Sequence, residues 1–169
     1  MRLGILGELR VDDSVDEWLV SEAVPVPYFD GMKLRFILDG IVAGDSAPQD
    51  FEEAAAAFLA LNLGNRQAAT PYVEGHYRKF RDVSVKHGWE VRPHEFSDIW
   101  EHVHPSEVVL SRRDRDRRIY VEVSAECDWD GEHGLLLVFR DGKVLSRVSS
   151  QDGHPTHADA YGLPDSEDR

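Results

Sequence analysis

Residues 118–148 read RIYVEVSAECDWDGEHGLLLVFRDGKVLSRV, and the period of this stretch sets the fold class. Over 118–129 the side chains alternate. Ile119, Val121, Val123, Ala125 and Cys127 share one face, and Tyr120, Glu122, Ser124, Glu126 and Asp128 share the other. Residues 134–148 then read as a hairpin around Asp141-Gly142, a strong two-residue turn signal. The strand before residue 130 and this hairpin give three adjacent antiparallel strands. SEVVLSR (106–112) precedes them across the turn-like RDRD (113–116).

Working towards the N-terminus, the period changes. HEFSDIWEHV (94–103) places Phe96, Ile99, Trp100 and Val103 at i, i+3, i+4 and i+7, which predicts a short helix ended by Pro105. A longer helix is predicted from Thr70, with Pro71 in its first turn, an apolar stripe of Val73, Tyr77 and Phe80, and a stop at Gly88. PQDFEEAAAAFLALNLG (48–64) predicts another. Its cap is Asp50, its buried face Phe51, Ala54, Ala55, Phe58 and Leu59, and its stop Gly64. Before residue 45 the pattern is again extended: LGILGEL (3–9), WLVSEAVPV (18–26) and MKLRFILDG (32–40). Strands, then helices, then strands predict an α+β domain with a mainly antiparallel sheet and about three helices between the two strand groups. We expect a single domain over residues 1–162 and a flexible acidic tail over 163–169.

The totals narrow the function. A chain of 169 residues suits one domain and buries about 70% of its unfolded surface. With 32 acidic and 19 basic residues the net charge is −13, which repels a phosphate backbone and argues against nucleic-acid binding. The same charge suits basic partners or cations. Cys127 is the only cysteine, which excludes an intrachain disulfide and a thiolate zinc site. Glu8 and Arg10 fall where a signal peptide would need its apolar core, and the longest apolar run, AAAAFLAL (54–61), cannot span a bilayer. The expected location is cytoplasmic, with no membrane partner.

Chemistry-bearing residues concentrate in two turns. Asp128, Asp130 and Glu132 have the spacing that opens an EF-hand loop, but His133 stands where glycine is needed and Phe139 where the closing carboxylate belongs. A looser cation site stays open. Glu126 and Asp128, two apart on one strand face, would bring their carboxylates to ~6–7 Å and could divide acid and base roles. The solvated face of any sheet shows the same pattern. Cys127 lies on the apolar face, which makes it an inert buried thiol. In the second turn, Asp152, His154, His157 and Asp159 are metal-capable, though such residues also dominate ordinary turns. His102 and His104 read as cations at a helix end. SRRDRDRR (111–118) reads as a solvated hairpin tip.

The same residues carry a resemblance. Cys127-Asp128-Trp129-Asp130, then Glu132-His133-Gly134-Leu135, then Asp152-Gly153-His154, Thr156 and Ala158 to Tyr161 resemble the end of a family of uncharacterised bacterial proteins carrying a domain of unknown function. The departures are Asp130-Gly131, where that family often has Glu-Pro, and Pro155, where leucine is usual. The resemblance implies that the two turns meet at one end of the sheet, bringing Asp128, Trp129, Glu132 and His133 near Asp152 and His154. By analogy of context it also implies an immunity-type protein, which neutralises a toxin by binding.

These readings define a candidate polar cluster of Glu126, Asp128, Trp129, Asp130, Glu132, His133, Asp152 and His154. The leading expectation is a non-catalytic acidic protein that presents this cluster, with Trp129, to a basic protein partner. No cofactor is expected. The alternative is a metal-dependent, hydrolase-like enzyme whose divalent ion would be held among Asp128, Glu132, His133, Asp152, His154 and His157. A third reading makes both turns purely structural.

Overall fold

The computed structural model describes residues 1–41 and 44–169. Five strands come first: β1 (Arg2–Leu3), β2 (Gly7–Val11), β3 (Trp18–Ser21), β4 (Val24–Val26) and β5 (Met32–Asp39). Two helices follow, α1 (Gln49–Leu59) and α2 (Leu63–Lys86). The chain ends with β6 (Val103–Arg112), β7 (Ile119–Cys127), β8 (Asp130–Arg140), β9 (Val144–Ser149) and the short helix α3 (His157–Tyr161). One sheet runs β1-β2-β3-β5-β6-β7-β8-β9, with β4 also paired to β5. Among the described strands, β5 and β6 form the parallel pair and every other pairing is antiparallel. The fold is α+β, with α1 and α2 between the two strand groups, as the periodicity predicts.

Within that frame several boundaries differ from expectation. Residues 3–9 break into the β1–β2 hairpin, and 18–26 break into β3 and β4, both paired with β5. Where the chain leaves β3, the Ser21 hydroxyl accepts the Phe36 amide at 3.0 Å and so replaces a ladder bond. Asp50 does not cap α1; its carboxylate pairs with Arg112 at 2.8 Å. α2 starts seven residues earlier than Thr70. Asn62 Oδ1 accepts the amides of Gly64 (2.8 Å) and Asn65 (3.4 Å), and Asn65 Oδ1 accepts the Asn62 amide (2.9 Å), a reciprocal cap made of two asparagines. Pro71 therefore lies inside the helix. The helix predicted at 94–103 is a single 3-10 turn, Ile99–His102, capped by Asp98. Pairing of Val103 with Cys127 draws the chain into β6 at once and leaves no room for more.

The main core lies between the sheet and α1 and α2. Phe51, Ala54, Ala55 and Phe58 of α1 and Val73 and Tyr77 of α2 meet Val121, Val123, Leu135, Leu137 and Phe139. Tyr28 stands against Phe29, Trp100 and Phe139 edge-on, with centroids 5.0–6.1 Å apart. Cys127 is buried, as its strand position predicts, and burial pushes its thiol up to about 12. On the other sheet face a small second cluster joins Tyr120, Leu136 and Val138.

The arginine-rich turn is solvated only in part: Arg115, Arg117 and Arg118 are exposed as expected, but Arg112 and Arg113 are not. The Arg112 and Arg113 side chains are 7% and 6% exposed. Arg112 forks onto Asp45 (2.7 and 2.9 Å) and the Ala47 carbonyl (2.9 Å). Arg113 collects Asp116, Asp159 and Asp165. It thereby ties α3 and the segment after it to the end of β6. Within residues 163–169, Asp165 is bound to Arg113 and Asp168 accepts the Ala158 amide at 2.8 Å. None of the described helices is long and apolar enough to cross a membrane.

Gly142 offers a sharp test of how the hairpin packs. Asp141 and Gly142 both have positive φ (52° and 69°), in a loop one residue longer than the two expected. A Cβ on Gly142 would stand 2.0 Å from the Ala54 carbonyl oxygen of α1. Gly142→Ala is expected to destabilise the fold by roughly 2–5 kcal/mol, combining left-handed strain with overpacking. Urea denaturation against wild type measures it, and a change under about 0.5 kcal/mol, the usual size at surface sites, would show that the hairpin tip is not seated on α1.

Candidate functional site

The two polar turns do meet, but through a residue not singled out in the sequence. The Gln151 amide donates to the His133 carbonyl (3.1 Å), and Gln151 Nε2 donates to the Ala125 carbonyl (2.7 Å). The acidic and histidine side chains are spent elsewhere. Asp130 is buried. Its Oδ1 accepts the amides of Glu132 (3.3 Å) and His133 (3.0 Å) and lies 3.2 Å from His133 Nδ1, so it closes its own turn. Asp152 takes Arg147 in a fork and the His154 amide at 3.1 Å, and the His154 carbonyl accepts Arg147 at 2.7 Å. Glu126 and Glu132 point into solvent.

Asp128 belongs to a different group. Its amide donates to the His102 carbonyl (3.0 Å), and its two carboxylate oxygens lie 2.8 Å from His102 Nδ1 and 2.7 Å from His104 Nε2. His104 is in β6, opposite Glu126, so these histidines bind a carboxylate and do not answer a helix dipole. Partial burial raises the Asp128 carboxyl, but the two ring donors outweigh it and leave it below its ordinary value. Each ring takes a separate oxygen, so the trio spans the carboxylate and shares no central point. Of the six residues expected to share a metal, Asp128 is thus taken by His102 and His104, and Asp152 by Arg147. Among the described residues, no group of three or more His, Cys, Asp or Glu is placed to hold one.

Trp129 corrects the expected docking surface most directly. It is 4% exposed, with its ring edge-on to Tyr77 at 5.8 Å. Its Nε1 donates to His76 Nδ1 at 3.1 Å. Burial pushes His76 down against the pull of Asp130, which favours the neutral ring. With Nδ1 accepting, Nε2 carries the proton and reaches Ser150 Oγ at 3.2 Å. Trp129 therefore orients His76 from behind.

His76 lines a groove of about 790 Å³ between α2 and β9. One wall is a single stripe of α2: Tyr72, Gly75, His76, Lys79, Phe80 and Val83. The opposite wall is His157 and Tyr161 of α3, with Arg169. Between them runs the unbroken stretch Leu145–Ser150. Tyr72 and Tyr161 are 65% and 67% exposed across this gap. Of the expected α2 stripe, Val73 and Tyr77 face the core and Phe80 borders both core and groove, so the rest of the groove-facing stripe was missed. Its signal was available: Tyr72 and Val83 widen the apolar face beyond what the core uses, with Gly75 between them.

Residues 5–155 match the family model described as Domain of unknown function (DUF6985). No curated protein and no solved structure gives a match.

Behind the groove floor, Glu122, Val138 and Arg147 lie side by side across β7, β8 and β9. Burial raises the Glu122 carboxyl to about 7, against the nearby Arg147 charge and with that of Asp152. The folded protein therefore keeps a proton that the unfolded chain releases between about 4.5 and 7, so this group's contribution to stability falls as pH rises through that window. Glu122→Gln is expected to stabilise the fold at pH 8 by on the order of 2 kcal/mol, and by much less at pH 4.5. Urea melts of both proteins at the two pH values measure this. An equal difference at both would refute a proton held in the folded state.

Proposed function

Because the chain belongs to this family, whose description names no activity, we propose its function from its own geometry: a binding protein without catalytic activity that captures a protein partner in the α2–β9 groove. The observation that carries the reading is the groove itself, with exposed Tyr72, Val83 and Tyr161 facing an edge strand. Aromatic and aliphatic side chains left in water around a concavity are the usual mark of a recognition site. The two polar turns support a structural role beside it. Asp130 closes one turn, and Asp152 holds the Arg147 guanidinium behind the floor.

The net charge of −13 supports a partner that is basic overall, since opposite charge speeds encounter and salt slows it. Neutralisation of a toxin by such capture, the immunity-type role, is one form of this function. It would operate in the cytoplasm, where a single buried thiol suits a reducing medium. The metal-dependent hydrolase draws no support from the geometry, because Asp128 is engaged by His102 and His104 and Asp152 by Arg147.

The test is comparative affinity capture from the source cell, with wild type, the groove variant Tyr72→Glu/Val83→Glu, and a control altered far from the groove, Glu8→Ala/Asp13→Ala. Both altered pairs are solvent-exposed, so folding should be unaffected. We expect wild type and control to retain the same partner and the groove variant to lose it. Retention by the groove variant would refute the site.

A further inference from the structure

The groove floor says how a partner would be held. Side chains alternate across a strand, so a face of β9 would contribute every second residue. Six consecutive residues, Leu145–Ser150, line the groove instead, which means that its floor is the strand's backbone edge. That edge is open: β9 ends the sheet and pairs only with β8 among the described strands. The two walls lie on opposite faces of the sheet. Leu145 and Val148 sit opposite Phe139 and Leu137 of the main core, on the α2 side. Arg147 sits opposite Val138 of the second cluster and binds the 152–154 turn that leads to α3.

Charge adds the second half. In a chain with 32 acidic residues, no Asp or Glu among the described residues lines this groove, whereas Lys79, Arg147 and Arg169 do. Arg147 is already forked onto Asp152. That leaves Arg169 at the chain end and Lys79, which is exposed on the α2 wall and fixed on a long helix, to meet a ligand charge.

We propose that the groove binds one extended, acidic and apolar segment of the partner chain, added as a further strand along β9, with a carboxylate side chain facing Lys79. This rests on the partner-binding reading above and specifies its mode. β9 has six residues, Val144–Ser149, so the segment in register spans roughly 20 Å. Its main chain bonds the β9 edge. Alternate side chains fall against Tyr72 and Phe80 on one wall and Tyr161 on the other.

A displayed library of random octapeptides, panned on the full chain and counter-selected on Lys79→Glu, tests the assignment. We expect enriched peptides to alternate apolar residues with Asp or Glu, and to bind Lys79→Glu about tenfold more weakly, as for a partly shielded charge pair. Hydrogen exchange with the best peptide should slow outward-facing amides within 145–149. Enrichment of basic peptides, no enrichment, indifference to Lys79→Glu, or unprotected β9 amides would each overturn it. Concentration-dependent dimerisation protecting the same amides would assign the edge to a second copy and overturn it too. If the Tyr72/Val83 variant loses the captured partner while the library fails, the binding reading stands and the strand mode falls. If that variant keeps the partner, both fall.

Discussion

β5 and β6 are parallel neighbours at the centre of the sheet, paired from Arg35 and Glu107 to Leu38 and Leu110. A parallel pair cannot be joined by a hairpin; the chain must leave the end of one strand and return to the start of the next. That requirement accounts for the long connection holding α1 and α2. The crossing chain has one apolar sheet face to cover, and it covers it in sequence, α1 over β6 and β7 and α2 reaching β9. The position of α2 is thus set by topology, and the space between its outer stripe and the last strand is what remains once the core stripe has been buried.

A second organising force is the pairing of arginines in a chain with excess carboxylate. Arg112, Arg113 and Arg147 each have side chains no more than 9% exposed; Arg113 meets three aspartates, Arg112 two, and Arg147 one together with the His154 carbonyl. Guanidinium donors fork naturally onto carboxylates, and a buried fork with its hydrogen bonds complete offsets the loss of hydration that an unpaired charge would suffer. Arg112 and Arg113 join distant parts of the chain, while Arg147 fixes the turn just after its own strand. Asp45 meets β6, Asp159 and Asp165 meet the turn after β6, and Asp152 meets β9.

The sheet was legible because period-two alternation over 118–127 and the Asp141-Gly142 turn are local signals with local causes. Both helix bodies were legible for the same reason. The start of α2 was not, because Gly64 and Pro71 read as a stop and a first turn, and only the Asn62–Asn65 cap shows that the helix runs through both. The candidate cluster was half legible. Strand adjacency predicted that the two turns meet, but the contact runs through Gln151, whose type carries no functional signal. Where Asp128 and Trp129 point depends on partners 24 to 53 residues away, His104, His102 and His76. No local pattern encodes those. At Arg113 the reading of the arginine run failed likewise, since SRRDRDRR gives no hint that Asp159 and Asp165 will return to it.

The two ends of this sheet differ in how far they offer an unpaired edge to another strand. β1 has two residues, too few to template another strand. β9 is long enough, yet it lies recessed between α2 and α3. Another folded sheet brings its own covering layers to such an edge and has to fit them between the two helices. A lone strand has no such layer. The recess therefore narrows what can reach this edge, a burden that edge-to-edge stacking of whole domains bears more heavily than a single unaccompanied chain.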